Sequence, residues 1–388
     1  MIIKNIKLYE ADEKFSDRAL RIVGDRIVEI IPNHETNSSN EVVIDGFGAY
    51  AVPGLIDVHF HGAVGLDVCD GGFETVRRIA QYEAASGITA ICPATLTLPV
   101  DDLCDILSNM ADFRDAASAD PDVYADCADL VGINMEGPFI SNAKKGAQNP
   151  NYIIPCDVNI AQRFQQAARG LVKFMGLAPE CNPNYREYIA GVKEFVHVSL
   201  AHTDSDYDTA MDALAAGARH AVHLFNAMSG FTHREPGVPG AVADSPHTTA
   251  EIIADGIHIH PSMVRAAFKF NGPERMILIS DSLRAAGMPD GQYELGGQPI
   301  TKQGRYCRLM DGTIAGSVSN LMDCLRTAVL EMGIPLTTAV SCATSHPAGA
   351  LGILNNYGTL EPGKYADVVL LDADDLTVRQ VIKHGRLL

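Results

Sequence analysis

Ala51-Val-Pro-Gly-Leu-Ile-Asp-Val58 reads as a buried strand that runs straight into His59-Phe-His61. Seven more short, β-rich apolar runs follow: Ile88–Ala94, Leu130–Met135, Val172–Leu177, Val196–Ala201, His220–Phe225, Glu251–Ala254 and Met276–Ser280. Helical spacing fills most of the gaps between them. Behind the acidic pair Asp101-Asp102, residues Leu103, Ile106, Leu107, Met110 and Phe113 recur every three or four positions. Thr203–Ala216, Pro261–Phe270 and Ser319–Met332 read likewise. Eight strands alternating with helices over roughly three hundred residues suggest an α/β fold of the (β/α)8, TIM-type barrel kind. A doubly wound open sheet would give the same alternation.

The two ends read differently. Ala19–Val23 and Arg26–Ile31 are strand-like and separated by Gly24-Asp25, a two-residue hairpin loop. Val42–Ile44 follows, closed by Asp45-Gly46, and the last residues offer Asp367–Leu371 and Val378–Ile382. These short strands are expected to pair into one small β-sandwich domain, contributed by residues 1–50 and 356–388, around a barrel spanning 51–355. Asn149–Cys156 and Leu283–Ser317 are expected to be loops that cover a substrate. Gly358-Thr-Leu-Glu-Pro-Gly-Lys-Tyr365 looks like a phosphate loop but has Tyr365 where a Ser or Thr is needed, so it reads as a turn. Asn37-Ser-Ser39 fits a glycosylation pattern but reads as a polar loop.

Composition narrows the function classes. Of 388 residues, 47% are hydrophobic, and 30 Lys+Arg against 48 Asp+Glu give a net charge of −18. That balance disfavours a nucleic-acid partner and makes any anion site a local exception to the field. No apolar run is long enough to span a membrane, and the first residues lack a signal-peptide core. Nine cysteines without a CxxC pair fit reduced thiols in the cytoplasm.

Ligand-type side chains recur along successive strands. Asp57, His59 and His61 follow the first, Glu136 the third and His202 the fifth; His223 falls within the sixth, and Asp281 follows the eighth. Most of these are C-terminal strand ends, the face on which barrels build their sites. His59 and His61, two apart, share a side and can converge on one ion. Imidazoles with carboxylates suit zinc or ferrous iron better than magnesium or calcium. Each residue also has an ordinary reading: Asp281 as a helix N-cap, Glu136-Gly-Pro as a turn, His202 at a helix entrance, His223 as a satisfied core histidine. His258 and His260 form a second His-x-His pair.

Val52-Pro-Gly-Leu-Ile-Asp-Val-His-Phe-His-Gly62 resembles the opening metal motif of the amidohydrolase superfamily. Asn134–Phe139, Lys144-Lys-Gly146, Leu177–Glu180, His223–Met228, Arg234–Gly237, Ile253–Gly256 with His258, and Asp290–Gly296 resemble its N-acetylglucosamine-6-phosphate deacetylase family. Gly358–Leu371 resembles the superfamily's closing segment. The resemblance implies hydrolysis of an N-acetyl group from a small amino-sugar phosphate by a divalent metal, Zn or Fe(II), with one or two ions per subunit. It implies that Glu136, His202 and His223 are the main metal ligands, that His59 and His61 serve a second ion, and that Asp281 is the catalytic acid/base. His258 would meet the acetyl carbonyl, while Asn226, Ala227 and Arg234 would hold the sugar phosphate. Ala147 would contact substrate, and Ala315-Gly316-Ser317 would close over it. It also implies a homodimer; the absence of a membrane or nucleic-acid partner is expected from the composition alone.

The chain departs from the family pattern in places. Gln148 stands where a His is common, Ser280-Asp-Ser282 replaces Thr-Asp-Ala, and Ala201 replaces a Gly. Three other readings stay open at this point: deacetylation of the galactosamine epimer, a cyclic-amide hydrolase, and a non-enzymatic metal-binding barrel. The cyclic-amide reading would need a lysine at the end of the fourth strand, whereas Lys173 lies near its beginning.

Overall fold

A computed structural model describes residues 1–33 and 41–388; the Asn37-Ser-Ser39 pattern lies outside them. The opening stretch is not one strand but two, in two different sheets. Tyr50–Pro53 pairs antiparallel with Val368–Leu371 and parallel with Ile2–Tyr9. After Gly54 the chain enters the barrel as β1, Leu55–Asp57. Gly54 is required at this switch, because a Cβ there would sit 2.0 Å from the Thr89 hydroxyl. Ala51–Pro53, counted above with the barrel, therefore belong to the terminal sheet.

The barrel strands continue as β2 (Ile88–Ile91, prolonged by Ala94–Thr95), β3 (Asp129–Leu130 and Ile133–Phe139), β4 (Val172–Leu177) and β5 (His197–Leu200). β6 (His220–Ala221), β7 (Thr249–Ile253) and β8 (Met276–Ile279) complete the set. Every strand pairs in parallel with its neighbour in the chain. Between β8 and β1 the ring closes through main-chain bonds, Asp281 N–H to His59 O at 2.9 Å and His61 N–H to Ser282 O at 2.7 Å. An open doubly wound sheet has no such closure, so the barrel reading holds.

Strand alternation sorts the core into two layers. On β8, Met276 and Leu278 join the large cluster packed under the outer helices, while Ile277 and Ile279 join Ile56, Ala90, Phe174 and Ile253 in a second cluster. Ala348 and Leu351, from the helix Ser345–Leu351, pack into that second cluster. The helix Val100–Ala119 buries Leu103, Ile106, Leu107, Met110 and Phe113 on one face, as its spacing requires. The helix expected over Thr203–Ala216 starts at Tyr207, capped by Asp206, whose carboxylate accepts the Thr209 N–H.

Both termini build one eight-stranded mixed sheet around Ile3, Ile6, Leu8, Leu20, Ile22, Val368 and Ile382. Gly358–Tyr365 is a turn into that sheet, with Gly363 N–H bonded to Ile27 O. The segment Leu283–Ser317 is more ordered than a loop. It contains three antiparallel strands, Gly291–Leu295, Gln298–Gln303 and Tyr306–Leu309. Among the described residues, no helix is long and apolar enough to cross a membrane.

Candidate metal centre and active site

Glu136, His202, His223 and Asp281 lie within or just past the C-terminal ends of four strands. Glu136 is inside β3, whereas His223 lies two residues beyond β6, which is shorter than the sequence suggested. His202, His223 and Asp281 adopt left-handed backbone angles, φ +43°, +29° and +49°. Non-glycine residues avoid this region at a cost of about 1–2 kcal/mol each. Such strain collects at functional sites, and here it turns three side chains into one space. Gly176 on β4 lets the backbone close up behind Glu136, since a Cβ there would lie 2.1 Å from the Glu136 carbonyl oxygen.

The side chains meet. His202 Nε2 and His223 Nε2 are each 2.8 Å from Glu136 Oε1 and 3.2 Å from one another. A second group lies against the first: His61 Nε2 is 3.4 Å from both Asp281 Oδ1 and Glu136 Oε2, and His59 Nε2 is 3.5 Å from Glu136 Oε1. The potential ligand atoms of each trio lie within 4.8 Å of one another, and all six residues are buried. Glu136 thus sits between the trios.

The donor set fits a divalent cation. His202 Nδ1 lies 2.8 Å from the Lys144 carbonyl, and His223 Nδ1 lies 3.1 Å from that of Asn226. A carbonyl only accepts, so each Nδ1 carries its ring's proton and each Nε2 presents a lone pair. Two such lone pairs facing each other beside a carboxylate repel unless a positive charge lies between them. Tetrahedral zinc with Zn–N of about 2.0–2.1 Å would place two nitrogens roughly 3.3 Å apart. His59 Nε2, fully buried, has no hydrogen-bond partner among the described residues.

A cavity of 290 Å³ opens over these groups. His258 lines it, with Nδ1 held 2.8 Å from Asp255 Oδ2. Burial would lower the His258 pKa, yet Asp255 raises it above the ordinary value. Ala147, Asn226, Ala227 and Gly316 also line the cavity. Ala315 and Ser317 do not. Ser317 is buried and instead clamps the segment that carries Asp281, donating its hydroxyl to Ser280 O at 2.6 Å and its N–H to Asp281 O at 2.7 Å. Arg234 does not line the cavity either: a turn tied by Thr232 and Glu235 leaves it exposed. The wall contains no Lys or Arg among the described residues.

The insert after β8 covers the cavity through Leu283, Leu295, Thr313 and Ile314, but Asn149–Cys156 contributes nothing to the wall. The second His-x-His pair is split, with His258 in the cavity wall and His260 outside it. His260 caps the helix Pro261–Asn271, accepting the Ser262 N–H, and takes no part in the site. Gln148 donates to Glu136 Oε2 and accepts the Thr97 N–H at 2.7 Å. Sequence reasoning assigned no role to Asn134, His220 or Glu251, all buried here. Their signal was present, as polar groups inside strands that are otherwise apolar.

Residues 50–388 match the amidohydrolase family. The chain is 35% identical over 375 residues to N-acetylglucosamine-6-phosphate deacetylase of Bacillus subtilis, covering 96% of this chain and 93% of that one. It is 30% identical to N-acetylgalactosamine-6-phosphate deacetylase of Escherichia coli O157:H7, covering 100% and 98%. The crystal structure of N-acetylglucosamine-6-phosphate deacetylase from Pasteurella multocida superposes with a TM-score of 0.92 at 27% identity, covering 100% of this chain and 99% of that chain. With its barrel closed and its ligand-type side chains gathered at the strand ends, the chain belongs to the amidohydrolase family.

Proposed function

We propose that this chain hydrolyses N-acetyl-D-glucosamine 6-phosphate to D-glucosamine 6-phosphate and acetate. The observation that carries the reading is the approach of His202 Nε2, His223 Nε2 and Glu136 Oε1 to within 3.2 Å of one another, with Asp281 beside them. Glu136, His202 and His223 would hold a zinc or ferrous ion, and His59 with His61 would hold a second. When bound, such an ion lowers the pKa of water and polarises a carbonyl. Asp281, ionised at neutral pH, accepts the proton of the attacking water and returns it to the amine nitrogen as the C–N bond breaks. His258, its Nδ1 anchored by Asp255, presents Nε2–H to the acetyl oxygen and stabilises the developing charge. Asn226 and Ala227 would line the sugar side, with Ala147 opposite.

A phosphate group needs a cation that the cavity wall lacks. Arg234, exposed on a loop near Phe231, supports a homodimer in which such arginines reach the neighbouring subunit's site. Nine free thiols support a reducing, cytoplasmic compartment.

The test is acetate release from paired glucosamine and galactosamine substrates, each with and without the 6-phosphate. Higher kcat/KM on the phosphorylated glucosamine epimer is expected. Preference for the galactosamine epimer would move the assignment to the reaction named for the Escherichia coli relative, and no acetate from any substrate would overturn it. Asp281→Asn is expected to lower kcat by about 10²–10⁴-fold while the protein still binds metal; a near-wild-type rate would remove Asp281 from proton transfer. Arg234→Ala is expected to raise KM for phosphorylated substrate more than for its unphosphorylated counterpart. Equal effects would separate Arg234 from phosphate recognition.

A further inference from the structure

Behind His59 lies a carboxylate to which none of the roles above refers. Glu251, on β7, is completely buried. Its Oε2 lies 2.8 Å from His59 Nδ1 and accepts the His223 main-chain N–H at 3.1 Å. Its Oε1 lies 2.9 Å from His220 Nε2 and accepts from Asn134 Nδ2 at 3.1 Å. Asn134 also donates to the Val58 carbonyl at 3.1 Å. His220 stacks on Phe174, ring centroids 4.4 Å apart, with Nδ1 2.7 Å from Thr249 Oγ1. One carboxylate therefore ties β3, β6, β7 and the chain leaving β1 together inside the barrel.

The four ligand-type histidines differ in what stands behind them. Nδ1 of His61, His202 and His223 faces the main-chain carbonyl of Ala94, Lys144 and Asn226, respectively. Nδ1 of His59 faces a carboxylate. A carbonyl fixes the tautomer; a carboxylate fixes it and also adds negative charge, which makes the opposite nitrogen a stronger donor. A buried anion is costly unless it is fully bonded and compensated. Glu251 has no Lys or Arg among its hydrogen-bond partners, and His59 Nε2, on the far side of the ring, makes no hydrogen bond among the described residues, lying 3.5 Å from Glu136 Oε1 and 3.7 Å from Asp281 Oδ1.

We infer that Glu251 is the positioning residue of the His59/His61/Asp281 half-site: it locks the His59 ring with Nε2 facing Glu136 and Asp281, and so sets that half-site's affinity for a divalent cation. This rests on the reading that Glu136, His202 and His223 hold a cation of their own. The two claims separate in one experiment, in which metal-stripped protein is titrated with Co²⁺ and read by visible d–d absorption and equilibrium dialysis. The wild type is expected to take two equivalents. His59→Asn loses the weaker one, and Glu251→Gln weakens that same equivalent about 10–100-fold while leaving the tighter one unchanged. No uptake by the wild type would overturn the proposed function itself. A single wild-type equivalent, two unaltered equivalents in Glu251→Gln, or equal weakening of both would each overturn the role of Glu251 alone. Should Glu251→Gln fail to fold, imidazole ¹H–¹⁵N spectra of the wild type carry the test. A strongly deshielded ring N–H that disappears in His59→Asn is expected, and its absence from the wild type contradicts the inference.

Discussion

The two ends of the barrel gather the same kinds of side chain and do opposite things with them. At the mouth, Glu136, Asp281 and four histidines converge without a lysine or arginine. At the junction with the terminal sheet, Asp129, Asp367 and His384 also form a compact trio, beside a cavity of 530 Å³. There Lys383 Nζ lies 2.8 Å from Asp129 Oδ1, and His384 Nε2 lies 2.8 Å from Asp129 Oδ2. Tyr357 donates its hydroxyl to the same oxygen, and the His384 main-chain N–H reaches Asp367. His384 also stacks on Tyr365 at 4.2 Å. The junction carries its own ammonium, paired with Asp129. The mouth needs a cation from outside. Ligand-type residues alone do not define a metal site; the absence of a protein cation and the convergence of lone pairs do.

That contrast can be broken most forcefully at the junction. Lys383→Met leaves the half-buried Asp129 without its ammonium, beside the buried Asp367, and is expected to cost about 3 kcal/mol, the low end for a broken buried pair, because Asp129 keeps 25% of its side chain exposed. Chemical denaturation measures it, and an unchanged midpoint would show that the junction is not held by this charge. At the mouth the expected effect is slightly smaller and depends on metal. Restoring Zn²⁺ to stripped protein at a hundredfold over Kd is expected to add about 2.7 kcal/mol. The same addition should leave the Lys383→Met deficit in place; rescue of that variant by metal would mean that the two ends are not independent.

The smallest effect concerns pH. Burial would lower the His384 pKa, but Asp129 and Asp367 together raise it above the ordinary value against the opposing charge of Lys383. Burial would raise Asp129, yet His384 and Lys383 bring it down to about 2. A raised histidine contributes in full below the ordinary imidazole value and loses its contribution as pH climbs through the raised one. A lowered carboxylate contributes above the ordinary carboxyl value and loses its contribution as pH falls towards about 2. Asp367, pushed up by burial, offsets part of this as it ionises. The difference in melting temperature between wild type and His384→Gln should be widest in weakly acidic buffer and narrow in alkaline buffer. A gap that widens with rising pH would contradict the pairing.

The sequence makes the barrel legible because its strands are short apolar runs separated by amphipathic helices, a pattern set by burial. It also exposes the ligand-type side chains that meet at the mouth, because histidines and carboxylates at strand ends have no packing reason to recur. What it hides follows from local ambiguity. Ala51–Val58 reads as one strand because only Gly54 marks the change of sheet, and that glycine's need comes from Thr89, distant in sequence. His223 reads as part of a strand because Val222 and Leu224 flank it. The three-stranded insert left a signal that was missed: Leu295-Gly-Gly-Gln298 is a two-residue hairpin turn between alternating residues. Glu251 was legible as a strand residue but not as a partner of His59, since 192 positions separate them.

Anomalous diffraction at the zinc edge, on crystals grown with Zn²⁺, tests the metal centre most directly. A peak about 2.0–2.1 Å from Nε2 of both His202 and His223, in contact with Glu136 and absent from His202→Asn crystals, is the expected result. Zinc-free density there, with the two Nε2 atoms too far apart to share an ion, would contradict it.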